Sequence, residues 1–194
     1  MTSTQPQVLL YAEVHQTSRT EAHRVAGSLS DAQFNWKPTP ATWSVAEGLV
    51  HLNRVADAYL PSLEAAVERA KYRAPGPFAY GFVAGKMIEG VQPGGPALRT
   101  GSSLDPSEGG ARSAFERDAV LATFDAYVQQ YVAVCQRAAG IDLARVKVRY
   151  PFMRLLRLPL GAFLQITGLH ALRHIAQAER VTQRPGFPKA ASSA

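Results

Sequence analysis

The sequence has a single cysteine, Cys135, in 194 residues, so no disulfide framework can form within the chain. That scarcity suits a reducing compartment. Nowhere does the sequence approach the roughly 20 apolar residues that a membrane-spanning helix needs. Its start, MTSTQPQVLLYAEVHQ, carries neither the basic segment nor the long apolar segment of a secretion signal. A soluble, cytoplasmic protein with no membrane partner is the expectation. Acidic side chains are the scarcer charge, 15 against 21 basic ones, which raises the question of a polyanionic partner. The basic residues gather at Arg69, Lys71 and Arg73 and again at Arg145, Lys147, Arg149, Arg154 and Arg157. They show neither zinc-finger spacing nor an RNP-like aromatic motif, so no nucleic-acid partner is expected. Solvated helix ends and a basic connector account for them. The stretch RVKVRYPFMRLLRLPLGAF mixes cations with apolar groups, but Pro151 and Pro159 break it as one amphipathic helix and make it a connector.

Strand alternation is almost absent outside RVKVRY, and helical periodicity fills the space. A first helix is predicted from about Gln7 to Leu29, where Val8, Ala12, His15, Ala22, Val25, Ala26 and Leu29 recur at helical spacing. A turn opened by Ser30 follows, and Pro38 and Pro40 then force the chain out of helix. Trp36 and Trp43 are predicted to plug the end of the bundle. The second helix starts at Ser44, with Glu47 completing a capping box, and runs to about Arg69. A third is predicted to open with the same signature, Ser113 and Glu116, and to end at Gly140. The fourth runs from about Gly161 to Thr182.

Between the second and third helices, residues 75–112 hold nine glycines and five prolines, too broken for a long helix although GFVAGKMIEGV fits a short one. A segment this long and irregular is either mobile or functional, a lid being one candidate. The tail at 183–194, QRPGFPKAASSA, is expected to be disordered. The resulting fold class is all-α: one domain over residues 1–182, a four-helix bundle with a long crossover and a Gly/Pro-rich insertion between helices two and three.

Histidines draw attention because the fourth helix is apolar nearly all round. At about 100° per residue, Thr167, His170, His174 and Gln177 share one of its faces. Two imidazoles at i, i+4 can hold one metal ion, although the glutamate of the zinc-protease HExxH motif is missing and Ala171 stands in its place. Satisfied core histidines are the competing reading. His51 on the second helix lies about 130° from that helix's apolar stripe, on a face of small residues including Gly48 and Ala58. That face either leaves room for a pocket or exposes the imidazole. His15 lies on the first helix's apolar stripe, where a structural role competes with a supporting one beside the same pocket, and His23 reads as surface.

An obvious general base is also missing. Glu47 is the nearest carboxylate to His51, but its capping role explains it. Gln177 and Thr167 are placed to orient a ligand or a water. Arg173, about 80° off the histidine face, reads as an anchor for a neighbouring helix or as an anion contact. Asn53 and Asp57 are candidate partners for an imidazole N–H. Cys135 reads as a buried thiol.

Two segments together, LSDAQFNWKPTPATWSVAEGLVHLNRVADAYL at 29–60 and GLHALRHIAQAERV at 168–181, resemble the DinB/YfiT-like superfamily of metal-dependent proteins. The shared features are the Leu29-Ser30-x-x-Gln33 turn, the Trp43-Ser44 helix start, a histidine seven residues later, and a terminal HxxxH with Arg173 before its second histidine and Gln177 after it. The resemblance implies a four-helix bundle whose metal ligands are His51, His170 and His174. It also implies a divalent ion, with zinc, nickel or ferrous iron all suited to imidazoles. Three neutral imidazoles leave a position open for water or a thiol, whose pKa such an ion lowers. The expected activity is that of a transferase, thiol-dependent in some relatives, or a hydrolase. Its substrate would be a small molecule, with a low-molecular-weight thiol as one candidate co-substrate. The alternative is a non-catalytic metal-binding bundle with a stress-response or regulatory role. A homodimer fits the resemblance, with no face singled out.

Overall fold

Proline at the first helical position, where its missing N–H would be unpaired in any case, opens α1 (Pro6–Ala26) in the computed structural model. The structure describes residues 5–96, 102–107, 114–153 and 155–189. Ser30 and Gln33 then form a reciprocal capping box around the short α2 (Asp31–Phe34). Ser44 and Glu47 do the same for α3 (Val45–Glu68), which passes through Pro61 without ending. Within the Gly/Pro-rich segment, α4 (Phe82–Val91) is followed by a single 3-10 turn at Ser102–Leu104. The long helices α5 (Arg117–Arg137) and α6 (Leu160–Thr182) complete the bundle.

The start of α5 differs from its sequence signature. Ser113 lies outside the described residues, and Glu116 is itself the residue flanking the helix, with no side-chain cap of its own. The cap comes from elsewhere in the fold, because the Arg117 N–H donates to Asp31 Oδ1 at 3.0 Å. Asn35 also holds Phe115 outside the helix, accepting its N–H at 2.8 Å and donating to its carbonyl at 2.7 Å. A tertiary cap from α2 thus displaces the local one by a turn.

Helices α1 and α3 each pack against both α5 and α6, so α1 and α3 stand on one diagonal of the bundle and α5 and α6 on the other. Between α5 and α6 the basic connector folds as an antiparallel hairpin, β1 (Lys147–Arg149) with β2 (Arg157–Pro159), pairing Val148 with Leu158. Both of those side chains are buried, while Lys147 and Arg149 face out. Residues 183–189 of the tail expected to be disordered fold back instead, Phe187 meeting Trp36 edge-on at 5.5 Å and Gln33 donating to the Pro188 carbonyl at 2.9 Å. Positions 190–194 lie outside the described residues.

The core is divided. One apolar cluster gathers Val8, Tyr11, Tyr59, Leu63 and Phe163 at one end, and a second gathers Ala22, Phe34, Leu49, Phe124 and Ile175 at the other. Each fully buried valine, leucine, isoleucine or phenylalanine side chain contributes roughly 1.5–3 kcal/mol. Along the helices between them come the buried polar residues His15, Ser18, His51, Thr167 and His174. A polar layer across a hydrophobic core costs stability unless its groups are paired, which directs attention to it.

Candidate metal centre

Helical spacing brings His170 and His174 onto adjacent turns of α6, with their Nε2 atoms 3.0 Å apart. The third imidazole comes from α3, which runs antiparallel to α6: Gly48 lies beside Ala178, while Tyr59 lies 5.1 Å from Phe163. A Cβ at Gly48 would stand 3.9 Å from the His174 carbonyl oxygen, an ordinary contact, so α3 lies close to α6 here with room for a methyl group. One turn on, the His51 ring sits 4.6 Å from that of His174 and 5.3 Å from that of His170. Each of the three offers one nitrogen, and these nitrogens all lie within 4.8 Å of one another.

Protonation follows from the partners. His51 Nδ1 stands 2.9 Å from the Leu104 carbonyl, which can only accept, so the proton is on Nδ1 and the lone pair on Nε2. His51 Nε2 and His174 Nδ1 are buried with no hydrogen-bond partner among the described residues. Leaving such a nitrogen unpaired costs about 1–3 kcal/mol. Burial first, then the neighbouring imidazoles and Arg173, push His174 down to about 2; burial, His51 and Arg173 push His170 down to about 3. Burial lowers His51 as well. At neutral pH all three are therefore uncharged donors.

That donor set fits a divalent ion. Two nitrogens bound at about 2.0–2.1 Å in tetrahedral geometry stand roughly 3.3 Å apart. The spacings here, 3.0 Å for one pair and within 4.8 Å for all, bracket that value. An ion would also satisfy the unpaired nitrogen of His51.

Around the imidazoles lies a cavity of about 1150 Å³, walled by α3, α6 and the inserted α4. Trp43, predicted to plug the bundle end, instead covers the cluster, its ring 4.9 Å from His51 and 5.7 Å from His174. Arg173 lines the cavity and reaches across to the end of α4, donating to the carbonyls of Gly90 at 2.7 Å and Pro96 at 2.5 Å. It closes the C-terminus of that helix and pins the insertion against α6.

The remaining candidates separate. Gln177 and Thr167 line the cavity. Thr167 Oγ1 donates to the Leu164 carbonyl at 3.0 Å and lies 3.4 Å from His15 Nε2. His15 is buried and stacked on Tyr131 at 4.4 Å, outside the cluster. Glu47 is committed on both oxygens, to the Ser44 N–H at 2.9 Å and to Lys37 Nζ at 2.8 Å. Asn53 and Asp57 do not support an imidazole, contrary to expectation. They lie about 160° and 120° round α3 from His51, and meet the Val120 carbonyl at 3.1 Å and the Tyr127 hydroxyl at 3.2 Å on α5. The partner of His51 is the Leu104 carbonyl, which sequence reasoning missed because a backbone atom in an aperiodic segment leaves no residue signature. Asp105 follows it. Burial opposes its ionisation, but hydrogen bonds from Ser107 hold its carboxyl below the usual range, and His51 adds to the effect. His23 is exposed and bonded to Asp125 at 2.9 Å, while burial pushes the Cys135 thiol up to about 12, so it is not activated.

A helical bundle with three uncharged histidines opening on a cavity is a scaffold competent to hold a metal. The model of the DinB superfamily matches residues 15–178, and the chain belongs to that superfamily. Comparison with curated proteins and with solved structures gives no match. Among the described residues, no helix is long and apolar enough to cross a membrane.

Proposed function

We propose that this DinB-superfamily protein binds a divalent ion through His51, His170 and His174 and acts, in the cytoplasm, as a metal-dependent transferase or hydrolase on a small-molecule substrate. The observation that carries this reading is the unpaired, buried His51 Nε2 facing two further uncharged imidazoles at the wall of a large cavity. When bound, the ion would lower the pKa of a water or thiol and polarise a substrate carbonyl. The protein's own residues do the rest. The Leu104 carbonyl holds the proton of His51 on Nδ1, so that Nε2 is always available. Trp43 shields one side of the cluster from water, and Gln177 offers an amide to orient a bound molecule.

A second reading, a non-catalytic metal-binding module with a regulatory role, is favoured by one observation. No aspartate or glutamate is among the described residues lining the cavity, so no carboxylate serves there as a general base. Turnover of thioester, amide and electrophile panels, with and without a low-molecular-weight thiol, separates the two. The enzyme reading expects an activity that a chelator removes, that zinc, nickel or ferrous iron restores, and that His170→Ala and His174→Ala each lower by at least about 100-fold. Activity unchanged in both variants contradicts it.

A further inference from the structure

The cavity is polarised along its length. Because α3 and α6 are antiparallel, its two ends can be read along α6. At the end near Thr167, its wall is aromatic: Tyr59, Tyr150 and Phe152 line it, with the Tyr59 ring 5.5 Å from Tyr150 and 5.8 Å from Phe152. At the end near the last turn of α6 its lining includes Arg180 and Arg184. Thr167 and Arg180 are thirteen residues apart, about 20 Å of helix axis at 1.5 Å per residue. The three imidazoles lie between.

The cations at the second end are not neutralised from within the cavity. All its charged lining residues are basic, in a chain that holds 15 acidic ones. Glu179, next to Arg180, is committed elsewhere, to Arg24 at 2.7 Å. Among the described residues neither Arg180, in the last turn of α6, nor Arg184, just beyond it, has a carboxylate partner. Cations suit a helix C-terminus, which accounts for part of the arrangement. It does not account for both arginines lining one cavity among whose described lining residues there is no carboxylate. Lys86, on α4, a helix that packs with the cluster at the aromatic end, is paired with Glu89 at 2.7 Å.

We propose that the ligand of this cavity is an elongated organic anion, its carboxylate or phosphate head at Arg180 and Arg184 and its apolar tail against Tyr59, Tyr150 and Phe152. Arginine forks match both head groups, and an apolar wall of this kind takes an acyl or aryl tail. In this pose the middle of the ligand passes the three histidines. The inference deepens the metal-dependent reading by naming a substrate class, but the charge and shape on which it stands do not require the ion.

The test is isothermal titration of the full chain with decanoate, decyl phosphate and neutral 1-decanol, below micellar concentrations, after chelator treatment and again with zinc. One or both anions should bind at least about tenfold more tightly than decanol, and the tighter of the two identifies the head group. In Arg180→Ala/Arg184→Ala this preference should shrink to within about twofold while decanol binding is unchanged, and Arg180→Lys/Arg184→Lys should retain part of it. Both side chains are exposed, so folding is not at stake, and circular dichroism checks it. Equal binding of anion and alcohol, or a preference that survives loss of both arginines, overturns the proposal. Anion preference in a protein that takes up no metal would contradict the metal-dependent function and leave this proposal standing.

Discussion

Two regions of the bundle bury imidazoles, and they handle them in opposite ways. His15 is enclosed: its ring stacks on Tyr131 at 4.4 Å with only 5° between the planes, and Thr167 lies 3.4 Å from its Nε2. The space beside it is a void of about 20 Å³, too small for a ligand. The cluster of His51, His170 and His174 faces about 1150 Å³ and carries two nitrogens without partners. Burial alone therefore does not mark a site. What distinguishes the second region is an unpaired lone pair with room in front of it.

Metal affinity gives the widest separation between these regions. His174→Ala should weaken zinc binding by well over the roughly 10–100-fold that loss of a supporting partner costs, whereas His15→Phe, which keeps the stack on Tyr131, should leave it within about threefold. Competition against a chromogenic chelator reads both, and equal losses would erase the distinction.

Acid stability tests the enclosed region next. Burial holds His15 down to about 4 from an ordinary 6.5. Between those values the unfolded chain takes up a proton that the folded one refuses. The stability is thus complete above pH 6.5 and declines as pH falls toward 4, by up to about 3 kcal/mol for this one group. In chelator-treated protein, urea midpoints at pH 7 and pH 5 should differ less for His15→Phe than for the parent. An unchanged difference would mean that His15 is not held neutral.

Glycines provide the smallest effect. At Gly168, beside His15, a Cβ would meet Val14 Cγ1 at 2.7 Å, so Gly168→Ala should destabilise by about 1–3 kcal/mol. At Gly48, beside the cluster, the nearest atoms are 3.9 and 4.0 Å away. Gly48→Ala should be neutral or stabilise by up to about 1 kcal/mol through helix propensity. Denaturant midpoints moving in the same direction for both would contradict the packing described.

Local chemistry made much of this legible in sequence. The capping box at Ser44 formed as its spacing predicts, Ser30 opens its turn as expected, and the i, i+4 pair of α6 needed only helix geometry. The start of α5 was misleading because the real cap is Asp31, more than 80 residues away in sequence. The same limit hid the Leu104 carbonyl under His51 and the α4 carbonyls held by Arg173, all contributed by a Gly/Pro-rich segment without periodicity. Trp43 could be read as apolar filler, but its place over two imidazoles depends on how α3 meets α6. Side chains that pair within a turn or two were readable, and those that pair with distant backbone were not.

The central claim is that three histidines from two helices hold one ion. Mass spectrometric metal content of protein purified without an affinity tag, beside a His51→Ala/His170→Ala/His174→Ala variant, tests it most directly. About one divalent ion per chain in the parent and none in the folded variant is the predicted result. A parent that stays metal-free after incubation with zinc, nickel and ferrous iron would contradict it.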